Sequence, residues 1–260
     1  MKKMLYFDGA VPARVHADGP SLLVRTKGRT PQRYPFRYLY GVEVKGESEW
    51  SMGAMRGLFE AGIPVVVRSR QGEVLGYAHG VFRPESALVA RLEDACQVEG
   101  FTSEYRIWRD ATERRILLRM LKQSRATLTD LRRQTVARWM DDWCYRRFGV
   151  PTAMRCVANY RFHLESESTS HLLRSGYGIQ FVSDGDSAIP LSSDLAWMSL
   201  WQEWLGLSSA CRAAGRCGNA EEGEFLRQLR LQREKLRESR IAFWNLLLQQ
   251  LSFWLESRGI

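Results

Sequence analysis

Near residue 82 the spacing of apolar residues along the chain changes, and that change restricts the fold more than any other feature. Before it, short apolar runs alternate with turn signals. Leu22-Leu23-Val24 precedes a turn at Lys27-Gly28, and Tyr38 to Val44 is rich in β-forming residues and partly alternating. Pro64-Val65-Val66-Val67 reads as a short buried strand, and Gln71-Gly72-Glu73 as a hairpin turn before Val74 to Tyr77. Between them, Met52, Met55, Leu58 and Phe59 fall at helical spacing, with Gly62 as a stop. After residue 82 the segments Ser86 to Val98, Tyr105 to Gln123 and Leu128 to Arg147 are long, free of internal proline and helical in period. In the second of these the apolar positions are Ile107, Trp108, Ala111, Ile116, Leu117 and Met120. A last helix is predicted from Glu222 to Glu256, with a seam through Phe225, Leu229, Leu236, Trp244, Leu247, Leu251 and Trp254. The pattern predicts an α+β fold: a small β-rich domain over 1–82, then a larger all-α domain over 83–260. Leu207 to Gly223, rich in Gly, Ala and Ser, is expected to be a loop.

Charge narrows the function. Thirty-eight Lys and Arg against 29 Asp and Glu leave a net +9, most of the excess being arginine. The planar guanidinium makes paired, charge-assisted bonds to phosphate, so this balance suits a nucleic-acid partner. The first half of the last helix carries Arg227, Arg230, Arg233, Lys235, Arg237 and Arg240, either as a solvated face or as a DNA contact. No apolar run approaches the roughly 20 residues that cross a bilayer, and Asp8 interrupts the apolar stretch after the basic start, so no membrane partner and a cytoplasmic location are expected. The five cysteines are scattered and read as free thiols; Cys211 and Cys217 lack a second ligand pair for zinc. His16 falls in an expected turn and His79 at a strand end. Trp139, Trp143, Trp197, Trp201 and Trp204 have the spacing of core or subunit-interface packing rather than of base stacking.

A β-rich domain followed by an all-helical one, with Gly19 to Val24, Val42 to Gly46, Glu49-Trp50-Ser51, Ala61 to Val67 and Gln71 to Gly76 in that order, resembles the N-terminal half of the CRISPR adaptation integrase family. The likeness continues through Leu131, Ala137-Arg138, Phe148-Gly149-Val150, His171-Leu172-Leu173, Gly176-Tyr177-Gly178, Phe181-Val182-Ser183 and Ser193-Asp194-Leu195. It implies a metal-dependent transesterase acting on DNA phosphates, in which a glutamate, a histidine and a later acid hold Mg²⁺ or Mn²⁺ and a DNA 3′-hydroxyl attacks. It also implies a homodimer formed through the β-rich domain, and a small ferredoxin-like companion subunit. The helical domain then carries DNA binding and the former catalytic site.

Laid on that pattern, the glutamate position falls at Arg133, the histidine at Ser183 and the last acid at Trp197; only the neighbouring acid, Asp194, persists. Arginine repels a metal ion, and an indole offers it no acceptor. The resemblance then implies a catalytically silent subunit with no cofactor. It would bind double-stranded or branched DNA, with Arg133 in direct contact with a phosphate beside Arg138, Arg155, Arg161 and Arg174. An active integrase copy would supply the chemistry. A second reading is an active metal-dependent integrase or endonuclease rebuilt around Asp184, Asp186 and Asp194, with Glu165, Glu167, His163 and His171 in reach. Against it, Glu165-Ser166-Glu167-Ser168 and Ser183-Asp184-Gly185-Asp186 read as exposed polar loops. A third is a structural protein without DNA binding, its charge serving solubility.

Overall fold

The computed structural model describes residues 2–9, 11–71, 74–80, 87–148, 151–182, 189–215 and 222–259, with backbone alone at 144, 147–148, 151–159, 210–215 and 222–230. A β-rich region followed by helices is what the backbone forms. Its contacts divide the chain into two compact units, but not by a single cut near residue 82. One unit comprises Met1–Ala90 with Glu165–Ser192, the other Arg91–Leu164 with Ser193–Ile260.

The first unit holds two four-stranded sheets. Strands β1 (Lys3–Phe7), β5 (Leu39–Lys45), β7 (Val65–Arg68) and β8 (Val74–Ala78) form one, in that order. Strands β4 (Gln32–Pro35), β3 (Ser21–Thr26), β2 (Ala13–Asp18) and β6 (Ser48–Trp50) form the other. The β5–β7 pair is parallel, with Val42 opposite Val65, and so needs a crossover, which helix α1 (Met52–Glu60) supplies. The α1 start is set by Ser51, whose hydroxyl accepts the Ala54 N–H at 3.2 Å. Its end is set by Gly62, whose φ of +62° favours glycine. Alternation in β2 buries Ala13 and Val15 and exposes Arg14 and His16, so His16 lies on a strand and not in the expected turn. The core joins these residues to Leu22, Val24, Val42, Val44, Leu58 and Val65. The expected turn at 71–73 falls partly outside the described residues.

Strand β5 is buried along nearly its whole length because both faces are covered. Val42 and Val44 enter the core, while Gly41 meets Ser170 of helix α5 (Pro151–Arg174). Glu165 to Ser168 is not an exposed loop but part of α5, and Ser166, Glu167, Ser168, Thr169 and Ser170 are all buried. These residues look exposed because they are polar, yet each small hydroxyl lets helix and sheet approach closely. Several of the polar groups find partners in the same unit. Arg68 Nε donates to Ser166 Oγ at 2.8 Å, the Tyr6 hydroxyl donates to Glu167 Oε1 at 2.9 Å, and Ser168 Oγ donates to the Ser192 carbonyl at 2.8 Å.

The second unit is helical: α3 (Phe101–Ser124), α4 (Arg133–Phe148), α7 (Glu222–Arg258) and most of α6 (Leu191–Gly215), with the ends of α2 (Ala87–Cys96) and α5 that belong to it. Along α3 the buried stripe is Phe101, Tyr105, Trp108, Thr112, Ile116 and Met120, so Ile107 and Ala111 face solvent although their spacing suggested the core. Helix α6 continues to Gly215, through most of the segment expected to be a loop. Ala and Ser are compatible with a helix that other helices hold in place. Along α7 the buried stripe runs Arg233, Arg237, Arg240, Trp244, Leu247, Leu251 and Leu255. Arg233, Arg237 and Arg240 are therefore neither a solvated face nor an open DNA track, while the side chains of Arg227 and Arg230 lie outside what is described. Arg240 Nε donates to Glu203 Oε1 at 2.6 Å, and the Tyr160 hydroxyl donates to Glu203 Oε2. Trp201 and Trp204 are fully buried, in keeping with packing rather than stacking on bases. No helix among the described residues is long and apolar enough to cross a membrane.

Candidate functional site

Three helices of the second unit converge on one charged cluster. On α3, Tyr105, Arg109 and Glu113 recur every four residues and so share a face. On α6, Asp194, Trp197 and Trp201 at spacings of three and four do the same. Arg133 opens α4, held there by Asp130. One Asp130 oxygen accepts the Arg132 N–H at 2.9 Å, and the other accepts the Thr135 hydroxyl at 2.7 Å.

The Arg133 guanidinium is seated between two buried carboxylates. Nε lies 2.9 Å from Glu113 Oε2 and 3.0 Å from Oε1, and a terminal nitrogen donates to Asp194 Oδ1 at 2.7 Å. The Arg133 side chain is 26% exposed, against 7% for Glu113 and 1% for Asp194. The carboxylates have further donors: the Trp201 indole N–H to Glu113 Oε1 at 3.0 Å, and the Tyr105 hydroxyl to Asp194 Oδ2 at 2.7 Å. Burial pushes the Asp194 carboxyl above its ordinary range, and Arg133, Tyr105 and Arg109 offset only part of that. Burial, reinforced by the Asp194 charge, also raises the Tyr105 phenol, which stays protonated and remains a donor. For Arg133, burial disfavours the charge, but Asp194 and Glu113 together outweigh it and strengthen the cation. The Arg133 guanidinium also lies 5.8 Å from the centre of the Trp197 ring, and the Arg161 guanidinium 4.8 Å from it. Trp197 in turn stacks on Trp201.

Beside this cluster, α3 and the α3–α4 connection enclose a cleft of about 880 Å³ lined by Arg109, Asp110, Glu113, Arg114, Asp130 and Arg132. Arg109 pairs with Asp110 at 2.8 Å and Arg132 with Asp130 at 2.7 Å. Arg106, Arg114 and Arg138 are exposed and have no ion pair among the described residues.

The fold thus brings together Arg133, Asp194 and Trp197, three of the four positions that the family resemblance assigns to the metal and its neighbouring acid. Ser183, Asp184 and Asp186 lie outside the described residues. Of the expected DNA-contacting arginines, Arg138 is exposed on α4, and Arg161 stacks on Trp197. The Arg155 side chain is not among those described. Arg174 sits in the first unit, where it donates to the backbone carbonyls of Gly62 at 3.1 Å and Tyr40 at 3.3 Å. Glu113 and Tyr105 were missed by sequence reasoning; their i, i+4, i+8 register with Arg109 on an arginine-rich helix was the available signal. Among the described residues no group of three His, Cys, Asp or Glu side chains is placed to hold a metal ion. The residues present do not fit a divalent ion here, because the carboxylate oxygens it would need already bind a fixed cation.

Residues 10–142, just over half the chain, match the family described as CRISPR associated protein Cas1. The chain belongs to the Cas1 family. The fold agrees over almost the full length with a Cas1 protein from Thermotoga maritima, at a TM-score of 0.71 and 12% identity, covering 98% of this chain and 96% of that one. TtCas1 in complex with DNA matches at a TM-score of 0.63 and 16% identity, covering 95% of this chain and 91% of that one. A casposase bound to its integration product matches at 0.58 and 13% identity, covering 89% and 82%. Among curated proteins none matches the chain by sequence.

Proposed function

We propose that this Cas1-family chain holds DNA without carrying out metal-dependent strand transfer. The observation that carries the reading is the Arg133 guanidinium bonded to both Glu113 and Asp194. A hard cation polarises a phosphoryl oxygen only if carboxylate oxygens are free to bind it, and like charge keeps it away from Arg133. DNA binding is supported by the net +9, by the exposed arginines Arg106, Arg114 and Arg138, and by solved Cas1 and casposase neighbours that carry DNA. Arg133 positions helices in this reading, and the phosphate contacts pass to the arginines around it.

The chain needs no cofactor of its own in this role. It acts in the cytoplasm as a homodimer joined through its β-rich part. An active integrase copy and the small ferredoxin-like companion supply the chemistry of spacer acquisition in antiviral defence.

One experiment tests this: titration of branched duplex DNA at several salt concentrations, with a strand-transfer and cleavage assay in Mn²⁺ on the same sample. Binding that weakens steeply with salt, without turnover, is expected. Turnover that requires Mn²⁺ and disappears in Asp194→Ala overturns the reading in favour of an active integrase with a rebuilt acidic site. Absence of binding at low salt favours a purely structural subunit.

A further inference from the structure

We infer that the arginines of this cluster have taken over the structural work of a divalent cation, and that Arg133 alone keeps a metal out of the space between Glu113 and Asp194. The inference rests on the reading above that the site has no catalytic metal, and adds what replaced it. Glu113 and Asp194 bring two negative charges, almost wholly buried, from helices α3 and α6. Left alone, two such carboxylates repel each other and are costly to bury. Arg133 brings one positive charge to both, and Arg109 brings a second that acts on Asp194. Arg133 is thus the cation that serves both carboxylates, as a bridging metal ion would, while Arg109 divides its charge between Asp194 and its own partner Asp110.

Arg133 uses Nε on one acid and a terminal nitrogen on the other, so a single planar group ties the first residue of α4 to both α3 and α6. Trp201 and Tyr105 hold the remaining oxygens of the pair. Neither of these neutral donors can replace the cation.

The probe is Mn²⁺ alone, followed by thermal unfolding and by water-proton relaxation, with no DNA and no activity readout. Wild-type protein is expected to melt at the same temperature with and without Mn²⁺. Arg133→Gln is expected to melt roughly 5–15 °C lower. Mn²⁺ should recover part of that loss in Arg133→Gln, and not in Arg133→Gln combined with Asp194→Asn. If Arg133→Gln does not fold unaided, folding on addition of Mn²⁺ supports the inference, and failure to fold overturns it. A folded Arg133→Gln that ignores Mn²⁺ overturns it, as does a wild-type Mn²⁺ response that Asp194→Asn removes. Arg133→Lys keeps the charge and should stay blind to Mn²⁺; a metal response there shows that charge exclusion is not the cause. Because none of these readouts involves DNA, loss of DNA binding would defeat the proposed function while leaving this result intact.

Discussion

Trp201 donates its indole N–H to Glu113 Oε1 at 3.0 Å, tying the middle of helix α6 to the middle of α3 through the carboxylate that also receives Arg133. Trp201→Phe removes that donor together with part of a buried ring that stacks on Trp197. The expected cost is about 1–3 kcal/mol, measured by urea unfolding. A loss near zero would mean that Arg133 alone satisfies Glu113.

Glu203 and Arg240 form a second buried pair in the same unit, at 2.6 Å, with side chains 6% and 0% exposed. Breaking one side strands the other charge, so Glu203→Gln should cost about 3–5 kcal/mol. Replacing both partners by apolar residues of similar volume should cost much less. Equal losses in the single and double variants would show that shape, not charge, sets the cost.

Gly41 leaves room for helix α5 on strand β5. A Cβ there would stand 2.6 Å from Ser170 Oγ and 2.7 Å from Met4 Sδ. Gly41→Ala is expected to destabilise by about 1–3 kcal/mol, with partial recovery when Ser170→Gly is added. Additive losses in a thermal melt of the double variant would place the strain elsewhere.

Asp130 supplies a pH-dependent contribution. Hydrogen bonds from the Arg132 side chain, then from the Arg132 backbone and Thr135, hold its carboxyl well below the usual value of 3.8. A depressed acid stabilises the fold above its unfolded pKa and loses that contribution as pH falls through the folded one. The melting temperatures of wild type and Asp130→Asn should therefore differ at neutral pH and converge as pH drops below about 4. A gap that widens on acidification would contradict the assigned role of Asp130 at the start of α4.

Arg114 and Arg138 test the proposed DNA-holding role. Each changed to Ala should lower the slope of log affinity against log salt by about 1, with little change in stability. Arg174→Ala should act the other way, lowering stability through the lost bonds to the Gly62 and Tyr40 carbonyls with the slope unchanged. A slope that falls with Arg174→Ala would bring that residue back among the DNA contacts.

Much of the fold was legible from local pattern. Strands β3, β5, β7 and β8, helices α1 to α4 and α7, and the order of a β-rich region before helices follow from side-chain period and from turn residues such as Gly62, because these act within a few positions of the chain. The residue types at positions 133 and 197 are likewise local information, an arginine and a tryptophan. Burial of polar residues is not. Glu165 to Ser168 and Arg233, Arg237 and Arg240 read as exposed because a single sequence does not show the partner that makes burial possible. That partner is remote in the chain: Arg68 for Ser166, and Glu203 for Arg240. The same holds for Arg133. Its positive charge is in the sequence, but its engagement by Glu113, 20 residues before it, and Asp194, 61 residues after it, exists only once three helices meet. Local propensity sets where elements form; long-range pairing of buried charges decides which polar residues are inside and which carboxylates hold Arg133.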